Sequence, residues 1–252
     1  MKCLSLGKVN KSMKTLFSAI ILVSLMTISI RSEAVSGKPK LWNASPMKEY
    51  TFHVKEKKRQ YKNIIKIQNK HGVYYYNSIL TEKGEQDIVA DAKLNMDFET
   101  LEWREINPRK NINVVAVRKG NVIFLTGTFD NKHNNKKEIY IDERKWQQIY
   151  QLSMMRFAAK QSKENWVEFW CLNPDRPGNA MVLSAVKKKK ETIELYGEKM
   201  EAQKLRISIA GFLSMFWSGN YWYRPSDGFF VRAKISGDVF VELRDEKNEK
   251  KL

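Results

Sequence analysis

The chain offers few residues able to attack a carbon centre or ligate a metal. It holds three histidines, His53, His71 and His133, and two cysteines, Cys3 and Cys171. No two histidines lie within helical reach of each other, and no grouping of carboxylates, cysteines and histidines carries zinc spacing, so neither a metal nor a cofactor is expected. Cys171 sits in Trp166-Val167-Glu168-Phe169-Trp170-Cys171-Leu172. A nucleophilic cysteine needs its thiolate, and these aromatic neighbours argue instead for a small core filler. Ser218, in Trp217-Ser218-Gly219, lacks the leading glycine of a Gly-x-Ser-x-Gly elbow. The acids Asp97, Glu99, Glu102 and Glu105 read as a solvated strand edge, which gives an acid pair for glycoside hydrolysis no specific support. No catalytic residue is therefore assigned, and the leading reading is a non-enzymatic protein. A hydrolase or carbohydrate-active enzyme using a sheet cleft is the rival, and a structural envelope protein is a third.

Aromatic residues give the stronger signal. If a curved sheet leaves its concave face partly unfilled, Trp170, Phe212, Phe216, Trp217 and Trp222 are the residues expected to line an apolar or lipid-like ligand site there. The alternative is that they fill the core. An alanine at Trp217 or Trp222 separates the two, since a lining residue changes affinity more than melting temperature.

The elements that must carry these side chains are mostly strands. From Tyr50 onward apolar residues recur with period two, the pattern of a strand with one buried and one wet face. Ile65 and Ile67 share a face. Val73, Tyr75 and Ile79 fall on one side of the next strand and Tyr74, Tyr76 and Leu80 on the other, so both its faces are expected to be covered. Turns follow at His71-Gly72, Asn107-Pro108, Lys119-Gly120-Asn121, Asp130–Asn135, Gly197 and Pro225-Ser226-Asp227-Gly228. Strands joined this tightly pair antiparallel. One segment, 142–160, breaks the rhythm: Trp146, Ile149, Tyr150, Met154, Phe157 and Ala158 recur at three and four, which predicts a helix with Asp142 as its cap. Residues 211–219 are apolar without alternation and receive no assignment. The fold class expected is mainly β: a strongly curved antiparallel sheet, a half-barrel or two layers, with one principal α-helix packed against it. Roughly a dozen strands exceed what a flat open sheet holds comfortably.

Lys14 followed by the apolar run Ala19–Ile30 and then Arg31-Ser32-Glu33-Ala34 reads as a secretory signal peptide, cleaved after Ala34. The run is about a dozen residues, short of the roughly 20 of a spanning helix. Met13 is an alternative start to Met1. With no cysteine directly after the run, a lipid anchor is not expected. Residues 35–252 then form one domain with a frayed tail, 245–252, and no transmembrane segment, placed in the periplasm or outside the cell. Cys171 would be its only cysteine, so no internal disulfide is expected. The formal charge of +17 falls by four when Lys2, Lys8, Lys11, Lys14, Arg31 and Glu33 are removed. The cations at Lys55–Arg59, Lys136-Lys137 and Lys187–Lys190 read as solvated hairpin turns, which argues against nucleic acid as a partner. An anionic envelope surface suits the sign better.

One stretch has a familiar pattern. Glu191-Thr192-Ile193-Glu194-Leu195-Tyr196-Gly197-Glu198-Lys199, Ala202-Gln203-Lys204-Leu205 and Tyr221-Trp222-Tyr223-Arg224-Pro225-Ser226-Asp227-Gly228-Phe229-Phe230-Val231-Arg232 resemble an uncharacterised family of bacterial periplasmic domains related in shape to the lipoprotein-carrier proteins. The resemblance covers the chain from Glu191 onward. It implies a curved antiparallel sheet with a helix on its concave side and an apolar ligand, the helix near 142–160 serving as lid. It brings no catalytic residues. The Lys187–Lys190 run departs from the family pattern.

Overall fold

A computed structural model describes residues 47–159, 162–235 and 238–244. The leader expected over 1–34 and the tail 245–252 lie outside the described residues. Fifteen strands form one antiparallel sheet. The first eight are β1 (Lys48–Glu56), β2 (Arg59–Lys70), β3 (Val73–Glu82), β4 (Glu85–Leu94), β5 (Thr100–Asn107), β6 (Ile112–Lys119), β7 (Val122–Phe129) and β8 (Lys132–Tyr140). Two four-residue helices follow, α1 (Tyr150–Ser153) and α2 (Met155–Ala158). The remaining strands are β9 (Trp166–Asn173), β10 (Arg176–Lys187), β11 (Glu191–Leu195), β12 (Glu198–Ile209), β13 (Ser218–Tyr223), β14 (Phe230–Ile235) and β15 (Val239–Leu243). Short 3-10 turns occupy Pro108–Lys110 and Gly211–Met215.

The sheet runs from β8 back through β1, on to β15 and back again to β9, with β11 paired beside β12. Its order is mostly sequence order because two-residue hairpins connect neighbours. His71-Gly72, Lys83-Gly84 and Tyr196-Gly197 each place both residues at positive φ, the twist that matches right-handed strands. The period-two signal holds: Tyr61, Asn63, Ile65 and Ile67 of β2 point inward together. Covering both faces of β3 does not hold. Tyr74, Tyr76 and Leu80 are buried, but Tyr75 faces outward and is exposed, because among the described residues no second layer covers the outer side of this curved wall.

Register shifts where β3 meets β4, β4 meets β5, β7 meets β8, β9 meets β10 and β13 meets β14 bend the wall. Its two ends approach each other, with β10 near β7 and β8, yet the ladder stays unclosed. The seam is polar. Lys110 forms an ion pair with Asp175 across it. Gly178 abuts Asp130 so closely that a Cβ would lie 2.0 Å from Asp130 Oδ2.

The helix expected over 142–160 is shorter, and its first half is extended. The main chain of residues 145–147 is claimed by strand edges: Trp170 N donates to Lys145 O at 2.8 Å, Gln147 N to Trp170 O at 2.9 Å and Thr100 N to Trp146 O at 2.9 Å. Gln148 completes the cover of β9, its Nε2 donating to Leu172 O at 3.2 Å and its Oε1 accepting from Leu172 N at 2.8 Å. This blunts an edge that would otherwise invite pairing with another chain. Asp142 caps no helix; its carboxylate holds Arg144 and accepts from Trp170 Nε1 at 2.8 Å. All four residues of α1 are buried, as a helix enclosed on every side requires. It is a plug within the wall rather than a lid above it.

Candidate functional site

The plug fills the trough with rings. Tyr150 meets Tyr221 edge-on at 5.7 Å between centroids, Phe52 stacks on Phe230 at 5.3 Å, and Tyr50 stacks on Phe229 at 5.1 Å. Each fully buried aromatic removes roughly 150–250 Å² from water, so this cluster dominates the core.

The five aromatic residues expected to line the concavity are not gathered there. Inward positions on β9 belong to Phe169 and Cys171, so Trp170 points the other way, with the Arg144 guanidinium 5.4 Å from its ring centre. By the same alternation Tyr221 and Tyr223 face inward and Trp222 outward. It is only 8 % exposed, because Lys204 lies over its ring at 5.3 Å and its Nε1 donates to Glu191 Oε2 at 2.9 Å. Trp217 is buried, at 2 %. Phe212 and Phe216 sit in or beside the 3-10 turn Gly211–Met215 and are 82 % and 40 % exposed. Met215, which the sequence did not single out, is 79 % exposed beside them. These three form an apolar rim between β12 and β13.

Two cavities of several hundred Å³ are lined by other residues. One, about 380 Å³, lies at the seam among Lys110, Asp130, Asn131, Asp175, Arg176 and Asn179. Among the described residues one carboxylate oxygen of Asp130 and one of Asp175 find no hydrogen-bond partner. Burial raises the Asp175 carboxyl above its ordinary value, against the pull of Lys110. Behind the seam Glu105 is fully buried; Asn107 Nδ2 donates to its Oε1 at 3.3 Å. Burial pushes Glu105 up to about 8, with Lys110 and Asn107 opposing and Asp175 reinforcing. The other cavity, about 350 Å³, is a groove on the outer face of β2–β5 around Tyr75, Asn77, Asp91 and Arg104.

The remaining acids of the group around β5 are spent on ion pairs: Asp97 with Arg156, Glu99 with Arg118 and Glu102 with Lys93. The histidines occupy three separate places, β1, the β2–β3 turn and β8. Among the described residues no group of three or more His, Cys, Asp or Glu is placed to hold a metal. Cys171 is buried and its thiol is pushed up to about 12 by that burial, as a core filler requires. Lys55–Arg59 does span a hairpin turn, but Lys136 and Lys137 lie within β8, whose side chains are mostly exposed. That edge strand is kept soluble by lysines rather than by a turn.

A solved structure with the same kind of wall is a β-barrel-like protein of a domain of unknown function, DUF1849, from Brucella abortus. The match covers 81 % of this chain and 98 % of that one, with a TM-score of 0.52 and 8 % sequence identity. The likeness is one of fold. No family model matches the sequence, and no curated protein matches it.

Proposed function

We propose that this chain is a non-enzymatic, exported envelope protein that engages an apolar, lipid-like group at the rim of its wall rather than inside it. One observation carries this reading: the trough is occupied by α1, α2 and their aromatic neighbours, while Phe212, Met215 and Phe216 stand exposed together on one turn. A soluble protein seldom leaves large apolar side chains clustered in water without a partner for them. Export follows from the leader over residues 1–34, and the family resemblance from Glu191 onward points the same way. Among the described residues no helix is long and apolar enough to cross a membrane.

Native mass spectrometry of the exported protein with added lysophosphatidylcholine tests the reading. Adducts are expected with the natural protein and with Trp222→Ala, and are expected to disappear with Phe212→Ser/Met215→Ser. Adducts that survive the rim substitutions and vanish with changes inside the trough would refute it. N-terminal sequencing of the same material is expected to begin at Val35; a start before residue 30 would contradict export by cleavage.

A further inference from the structure

The rim stands at the top of an unusual stretch of outer wall. In the register of the sheet, Arg206 of β12 pairs with Asn220, Asn220 with Lys234 of β14, Lys234 with Phe240 of β15, and Phe240 with Lys55 of β1. Neighbouring strands are roughly 4.8 Å apart, so this single row crosses about 19 Å of surface. Arg206, Lys234 and Lys55 are exposed, and Phe240 is half-buried between two of them. No carboxylate stands in the row. Among the described residues no ion pair holds these three cations, although the rows around them do pair, as Arg232 does with Glu242 and Lys204 with Glu191.

The apolar turn continues the same two strands beyond this row: Ser208 and Ser218, two positions beyond Arg206 and Asn220, pair with each other, β12 ends at Ile209, and the turn begins at Gly211. From Arg206 to Ile209 the strand rises roughly 10 Å, which sets the row below the base of the turn. Beside it, exposed Lys57 and Lys58 extend the positive band, with Glu56 and Asp238 as the nearby acids; Lys57 N donates to Asp238 O at 3.4 Å. Apolar side chains projecting beyond a belt of unpaired cations match the layering of a membrane surface, acyl boundary above and anionic headgroups below.

We propose that this face, the turn Gly211–Met215 with Phe216 and the row Arg206, Lys234 and Lys55, docks on a bilayer containing anionic lipid. The proposal rests on the rim being the apolar contact site and adds its partner. Phe212 and Met215 enter the headgroup boundary, and the three cations, without an ion-pair partner among the described residues, meet phosphate groups. Exposed groups of this kind can be exchanged with little effect on the fold.

Flotation of the exported protein with vesicles tests it, using phosphatidylcholine alone against phosphatidylcholine with phosphatidylglycerol. At low salt, partitioning onto the anionic vesicles is expected to exceed that onto the neutral ones by at least tenfold. Arg206→Gln/Lys234→Gln/Lys55→Gln is expected to lower it about 100-fold, given the contribution of each cation near such a surface. Phe212→Ser/Met215→Ser is expected to abolish it, with unchanged melting temperature for both variants. Equal binding to both vesicle types, lost only in the serine variant, would overturn the anionic partner and leave the apolar rim standing. No binding to vesicles, together with absence of lysophosphatidylcholine adducts, would overturn both. A dimer in sedimentation velocity that the serine variant dissolves would show a second copy as the occupant and overturn the docking.

Discussion

Alanine at Gly228 tests whether the β13–β14 turn bolts the plug in place. Gly228 has φ +71, and a Cβ there would lie 1.9 Å from Met155 O and 2.7 Å from Met155 C. Both atoms are backbone of α2, so no side chain can swing aside. Holding a residue with a Cβ in that left-handed conformation costs about 1–2 kcal/mol. Forcing the turn off the helix adds roughly 1–3 kcal/mol, the usual range for overpacking. Gly197 is the internal control: φ is +78, but nothing lies within 4 Å of its would-be Cβ. Gly197→Ala should therefore lose only the first quantity. Urea unfolding of both variants, at unchanged slope, is expected to show Gly228→Ala less stable than Gly197→Ala by about 1–3 kcal/mol. Equal losses would mean that the helix does not bear on the turn and that the plug is not clamped as described.

Glu105 gives a pH signature. Its folded form keeps a proton to about pH 8, while the free group releases it near 4.5, so the folded protein binds more protons between those values and its stability falls as pH rises through that window. The loss is up to about 5 kcal/mol and is complete above the folded value. Glu105→Gln is expected to flatten this part of the curve and to exceed the natural protein in stability at pH 9; a curve unchanged by the substitution would show that the carboxyl is solvated. Cys171 should react with a bulky disulfide reagent only as fast as the protein unfolds, since its thiol is buried and held neutral at pH 8. Rapid labelling of the native protein, with no change in rate on adding mild denaturant, would contradict that placement.

Much of the wall is written locally. His71-Gly72, Gly197 and Asp227-Gly228 mark turns because their conformations favour those residues, and Ile65 with Ile67 shows the inward face of β2 by alternation alone. What escaped is what distant contacts decide. Glu105 follows Trp103 by two and precedes Asn107 by two, so the fold carries all three inward, whereas its residue type placed it with Asp97, Glu99 and Glu102 on a solvated strand edge. Residues 145–148 have helical spacing, yet backbone bonds to Trp170 and Thr100, together with the Gln148 side chain on Leu172, hold them extended. The five aromatic candidates were chosen by type. Strand parity sends Trp170 and Trp222 outward, and only the turn between β12 and β13 leaves Phe212 and Phe216 in water. Met215 could have been found by the same cue, since Gly211-Phe212-Leu213-Ser214-Met215-Phe216 has no polar face to turn toward solvent.

Photo-crosslinking tests most directly whether apolar ligands meet the outside of this wall and not its interior. The exported protein, mixed with vesicles carrying a diazirine-labelled phosphatidylglycerol, is irradiated, digested and mapped. Label is expected on the peptide spanning 211–217 and absent from those covering 146–158. Label concentrated on Tyr150, Phe157 or Tyr221, with the 211–217 peptide clean, would show that the plug yields to a ligand in the trough.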